Sequence, residues 1–182
     1  DEEIEEEIDF IRENRGGIVG VGEVGLDRHE TRKEKDWERQ EEIFRKFVRL
    51  ALELGKPVVV HSRKAEERAI EILEEEGAKK VVMHCFCGKW RLVERIVKNG
   101  WFVTVPGSVT RSEQFARIAK EVGMDSLLCE TDSPFLHPEQ GKGMTNEPGN
   151  VVECYKKIAE LKVLDLGEVE EGIERNFKRV FG

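Results

Sequence analysis

The sequence predicts an α/β fold built on a parallel sheet. Three observations carry this: five apolar runs of strand length, amphipathic stretches between them, and polar, chemically capable residues where four of the runs end. The runs are "GIVGVGEVG" (17–25), "PVVVH" (57–61), "KVVMH" (80–84), "WFVTV" (101–105) and "SLLCET" (126–131). Their starts lie 20 to 40 residues apart, too far for hairpins, so helical crossovers and parallel pairing are expected.

In chain order, residues 1–15 read as a helix whose acidic run Glu2 to Glu7 is a solvated face. Four further helices follow from apolar residues at helical spacing, strictly i, i+3, i+4 and i+7 in the first and last of them. They are marked by Phe44, Phe47, Val48 and Ala51; by Ala65, Ala69, Ile72 and Leu73; by Leu92, Val93, Ile96 and Val97; and by Phe115, Ile118, Ala119 and Val122. Gly55, Gly77, Gly100 and Gly123 stand where left-handed C-terminal caps would fall, and Thr110 with Glu113 fits a capping box before the last of the four. After the fifth run comes a Gly- and Pro-containing loop through "GKGMTNEPGN", then helices near 148–163 and 167–179. Trp90 and Trp101 read as core residues. Eight parallel strands close a barrel of typically about 250 residues. Five do not, so the expectation is either an open sheet or the greater part of a barrel whose first strands lie outside this chain.

The 182 residues, 38% of them hydrophobic, suit one domain over 1–182. No stretch approaches eighteen consecutive apolar residues and the N-terminus is acidic, so a cytoplasmic protein without a membrane partner is expected. Cys85, Cys87 and Cys129 lie at or beside apolar runs and read as small core residues, with no disulfide framework. A net charge of −8 argues against a nonspecific lysine and arginine coat for nucleic acid, yet suits an enzyme that meets a phosphodiester through bound cations. Charged residues at 37% lean toward a thermophilic source.

Glu23, His61, His84 and Asp132 lie in or just past the first, second, third and fifth runs. The strands of a parallel sheet place such ends on one face, so residues distant in sequence are expected to converge. Two imidazoles with one or two carboxylates suit a borderline divalent ion such as zinc, manganese or nickel, and an added carboxylate can bridge a second ion. Singly, each residue reads more plainly: a strand-end histidine as structural, Glu23 as a turn cap, Asp132 as an Asx turn before Pro134. Jointly they point to a metal centre. Arg63, two residues past His61, stays at the same rim, where a guanidinium can fork onto a phosphate or make a surface ion pair. His29 and His137 read as solvated loop residues.

"GVGEVGLD" (20–27), "PVVVHSR" (57–63), "HCFCG" (84–88), "CETDSP" (129–134), "TNEPGNV" (145–151) and a late "RNFKRVF" (175–181), in that order, resemble the TatD family of metal-dependent hydrolases in the amidohydrolase-like superfamily. The resemblance implies a TIM-type (β/α) barrel with a two-metal centre. It also implies a magnesium-, manganese- or zinc-supported deoxyribonuclease, often a 3′ to 5′ exonuclease, with DNA as substrate. Residue by residue, Glu23 matches the carboxylate that bridges both ions, and His61 and His84 complete one metal position. Asp132 matches the ligand of the other position and the activator of water, with Glu130 beside it. Arg63, Asn146 and Glu147 match residues at the substrate rim. The family begins with a strand ending in His-x-His, which this sequence does not contain. By family spacing the first two strands therefore lie outside the chain, leaving an N-terminally truncated barrel with up to two divalent ions, or one where the first position is not completed. Two alternatives stay beside the nuclease: an amidohydrolase-type enzyme acting on a small amide, ester or lactone, and a catalytically impaired metal-binding scaffold. Strand edges left unpaired by an open barrel are expected to favour homo-oligomers.

Overall fold

The computed structural model describes residues 2–31, 33–139 and 144–182. Each apolar run becomes a strand: β1 (Val21–Asp27), β2 (Val58–Arg63), β3 (Val81–Met83), β4 (Phe102–Val105) and β5 (Leu127–Cys129). The amphipathic stretches become α2 (Trp37–Glu53), α3 (Glu66–Glu75), α4 (Trp90–Lys98) and α5 (Glu113–Glu121), flanked by α1 (Glu2–Glu13), α6 (Val151–Lys162) and α7 (Leu166–Phe181). Strand and helix alternate, and every described pairing is parallel, as in a TIM-type (β/α) fold.

The chain divides into two compact units, residues 1–101 with 180–182, and residues 102–179. In the first, β1 pairs with β2 and β2 with β3. Burial explains which residues made the helices: Phe44, Phe47, Val48, Leu50 and Ala51 of α2, Ala69, Ile70, Ile72 and Leu73 of α3, and Leu92, Val93 and Ile96 of α4 are all buried. Each of these Phe, Leu, Ile and Val side chains contributes on the order of 1.5–3 kcal/mol relative to exposure. The outer faces of these helices are laced by guanidinium–carboxylate pairs: Arg45 and Arg49 on Glu76, both at 2.7 Å, Arg68 on Glu41 and Glu75, both at 2.9 Å, and Arg91 on Glu67 at 2.6 Å. Gly55, Gly77 and Gly100 take the left-handed conformation expected of helix ends.

In the second unit β4 pairs with β5, and α5 buries Phe115, Ile118 and Ala119. Asn176 of α7 is buried, and its Nδ2 donates to the carbonyls of Met124 (2.6 Å) and Leu127 (2.8 Å), tying the C-terminal helix to the entry of β5.

Several expectations are corrected. The N-cap of α5 is Ser112, whose hydroxyl accepts from the Phe115 amide; Thr110 lies in a 3₁₀ turn (Gly107–Thr110) and donates its hydroxyl to the carbonyls of Gly107 and Pro138. Gly123 has φ −58°, because α5 ends through an extended Val122 rather than a left-handed cap. Trp90 is half-buried at the first turn of α4, donating to Glu94 at 2.9 Å, whereas Trp101 is core. Cys87 is exposed, since it lies in the turn beyond β3 rather than in the strand; all four cysteines are free thiols. Along β2, Val58, Val60 and Ser62 are buried, while Val59 and His61 are half-exposed and Arg63 exposed on the opposite face. No helix among the described residues is long and apolar enough to cross a membrane.

Candidate metal centre

The alternation along β2 sets the site. With a side-chain period of two, Val59, His61 and Arg63 share the open face, and His61 is aligned with Gly25 of β1. Gly25 has φ +155°, and a Cβ built there would fall on the His61 carbonyl, so only glycine lets the two backbones approach this closely. The β1–β2 register shifts between Val21 and Val24, a bulge that holds Glu23. Strand β1 runs on to Asp27, so Glu23 lies within the strand rather than at its end. His84 directly follows β3, and its amide donates to the Val60 carbonyl at 3.0 Å, extending the ladder to that residue.

The three side chains meet. Glu23 Oε1 lies 2.8 Å from His61 Nδ1, and Glu23 Oε2 lies 3.6 Å from His84 Nε2, so each carboxylate oxygen addresses one imidazole. The other nitrogen of His61, Nε2, is 2.8 Å from Asp27 Oδ2. Two flanking carboxylates favour the protonated ring, and the Glu23 contact, against the opposing effect of burial and with help from Asp27, raises the His61 pKa. Burial pushes Asp27 upward, but the Glu30 amide, His61 and the His29 amide more than offset it, and its pKa is lowered. Its Oδ1 accepts from both amides at 2.8 Å. Asp27 is the residue that the sequence reading passed over. It closes the quoted "GVGEVGLD", and an acid ending the strand beside Glu23 was the available signal.

Among the described residues no three or more His, Cys, Asp or Glu side chains already stand around a common point as ligands do; these donors are closed on one another by hydrogen bonds. Their chemistry nonetheless fits a borderline divalent cation: two imidazole nitrogens and a carboxylate with both oxygens turned toward them, plus a second carboxylate steadying one ring. Coordination through His61 would require release of one ring proton. Arg63, exposed, makes a long 3.6 Å contact with Glu30.

The remaining candidates lie in the second unit. Asp132 follows β5, is half-buried, and has φ +58°, a left-handed conformation that Asp tolerates better than most residues. Asn146 is turned inward, 2% exposed: its Nδ2 donates to the carbonyls of Thr131 and Phe135, both at 2.7 Å, and its Oδ1 accepts from the Glu147 amide and Asn150 Nδ2. It shapes the loop after β5 from within, while Glu147 is exposed beside it. Gln140 to Gly143, the start of the segment leading to Asn146, are outside the described residues.

The family model for TatD related DNase matches residues 1–182. The uncharacterized metal-dependent hydrolase YabD of Bacillus subtilis is 37% identical over 97% of this chain and 71% of its own length. Human deoxyribonuclease TATDN3 is 35% identical over 94% of this chain and 63% of its own length. The crystal structure of YJJV, a TatD homolog from Escherichia coli K12, superposes with a TM-score of 0.87 at 26% identity, covering 98% of this chain and 69% of that one. A hydrolase of the TatD family from Entamoeba histolytica superposes at 0.85 with 23% identity, a likeness of fold. Parallel β/α units, the gathered Glu23, His61 and His84, and a whole-chain match place this chain in the TatD family of metal-dependent hydrolases.

Proposed function

We propose that this chain carries the activity of a TatD-type deoxyribonuclease, shortening DNA from its 3′ end by hydrolysing phosphodiesters. The observation that supports the reading is the meeting of Glu23 with His61 and His84, donors of the kind a divalent cation in phosphodiester hydrolysis would use. The name of the human relative, 35% identical, supports DNA as the substrate.

Glu23, His61 and His84 would hold magnesium, manganese or zinc, with Asp27 fixing the His61 ring. A bound divalent cation supplies positive charge against the phosphodiester and lowers the pKa of water. Asp132 is assigned as the carboxylate that orients the attacking water and takes its proton, and as a further metal ligand. Arg63, in a long contact with Glu30, would fork onto a non-bridging phosphate oxygen, and the exposed Glu147 is assigned to substrate contact.

The test is incubation of the purified chain with manganese, magnesium or zinc and 5′-labelled single-stranded DNA. The expected result is stepwise shortening from the 3′ end, abolished by chelator and reduced about a hundredfold or more by Asp132→Asn. Shortening that survives Asp132→Asn would remove Asp132 from the mechanism. Intact DNA alongside turnover of a small amide, ester or lactone would reassign the site to amidohydrolase-type chemistry.

A further inference from the structure

We propose that Phe135 is a stacking platform for an unpaired nucleobase next to the scissile phosphodiester; this rests on the deoxyribonuclease reading and names the feature of the substrate that the loop after β5 recognises.

Phe135 is 69% exposed, more than Phe10 on α1 (60%) or Phe177 on α7 (52%). Single exposed apolar side chains are common and by themselves mean little. What distinguishes Phe135 is that its backbone is fixed on both sides while its ring is left in water. Its amide donates to the Asp132 carbonyl at 2.8 Å, and its own carbonyl accepts from Asn146 Nδ2 at 2.7 Å. Two residues on, the Arg111 guanidinium donates to the His137 carbonyl, and the Thr110 hydroxyl donates to that of Pro138. Pro138 is buried, packed so closely on Gly107 that a Cβ there would lie 3.1 Å from the proline ring. Asp132 and Leu136, three residues before and one after Phe135, both sit at positive φ, +58° and +51°. Non-glycine residues are held in that region only where the surroundings over-determine it, and such places concentrate at ligand sites.

A clamped loop thus presents a hydrophobic ring to solvent within one turn of Asp132. A flat apolar ring suits the face of a base, and base–aromatic stacking is indifferent to sequence because every base has a π-face. Duplex DNA offers no such face, so the platform selects single strands or frayed 3′ ends. Asn146, expected at the substrate rim, acts here as a positioning residue that fixes the Phe135 carbonyl.

The experiment compares wild type, Phe135→Ala and Phe135→Trp on single-stranded oligonucleotides that are intact or carry an abasic site at the 3′-terminal or penultimate nucleotide. A phosphodiester joining only tetrahydrofuran abasic units, with no aromatic ring, serves as a substrate without a base. Expected results are a KM for intact DNA raised about tenfold or more by Phe135→Ala with kcat little changed, and restoration by Phe135→Trp. Wild type should also lose a similar factor on one abasic substrate, a penalty absent in Phe135→Ala. Turnover of the base-free ester should be the same in all three. Wild type that cleaves DNA but treats abasic and intact strands alike, or Phe135→Ala that matches it on intact DNA, overturns the stacking role alone. Wild type that cleaves the ester and leaves DNA untouched overturns the deoxyribonuclease reading, and the stacking role with it.

Discussion

At the scale of single residues the centre is a set of charges arranged around one ring. His61 lies between Glu23 and Asp27, each 2.8 Å away, and the two carboxylates divide the work: Glu23 also faces His84, while Asp27 is anchored by two backbone amides. An anchored carboxylate behind an imidazole fixes the ring and raises its basicity, and loss of such a partner typically costs 10- to 100-fold in metal affinity. Asp27→Asn should therefore weaken manganese or zinc binding about tenfold or more by titration calorimetry, with unchanged far-ultraviolet circular dichroism; unchanged affinity would show that the ring needs no such support. Glu23, His61 and His84 were legible because each lies in or directly beyond an apolar run. Asp27 was not, because the strand was expected to stop at Gly25, and the two further residues depend on pairing with Ser62 and Arg63 across β1 and β2. Asn146 was legible as part of a motif, but its inward orientation follows from hydrogen bonds that no local pattern announces.

At the scale of elements, apolar runs located the five strands among the described residues and helical spacing located α2 to α5, because burial dictates both patterns. Ends were less legible. Ser112 and Thr110 both satisfy the residue preference of an N-cap, and the choice fell to the 3₁₀ turn that engages Thr110 with Pro138. The C-terminus of α6 shows the converse: Val163 takes the left-handed cap position, φ +56° and ψ +49°, with its side chain 91% exposed. A β-branched residue is strained there and makes little packing in return. Val163→Gly should stabilise the chain by about 1 kcal/mol, partly offset by the greater freedom of glycine in the unfolded state. A urea midpoint that falls in this variant would contradict the assigned strain.

At the scale of the whole molecule, abundant charge appears as ordered pairs across α2, α3 and α4, in keeping with a chain that is 37% charged. Glu76 is the most enclosed of these carboxylates, its side chain 11% exposed, and the Arg49 contact, opposed by burial and joined by Arg45, lowers its pKa. A carboxyl depressed in the folded state stabilises fully above its unfolded value, near 4.3, and loses that contribution as pH falls through the folded value. The Glu76 contribution should therefore be constant above about pH 5, with urea midpoints declining below about pH 4.5, while the raised His61 pKa adds stability that is lost as pH rises above about 6.5; Glu76→Gln should cost about 1 kcal/mol at pH 7 and show a shallower acid decline. An acid decline equally steep in the variant would place the effect in other groups. Asp132 and the loop beyond it were legible through the "CETDSP" motif, whereas the clamped exposure of Phe135 depends on Asn146, Thr110 and Arg111, all at least eleven residues away in sequence. The most direct test of the central claim is metal content per chain after equilibration with manganese or zinc and gel filtration. At least one ion per wild-type chain is predicted, falling to a small fraction in Glu23→Gln and in the His61→Ala, His84→Ala double variant. Equal metal content in wild type and both variants, all folded by circular dichroism, would contradict a site built from Glu23, His61 and His84.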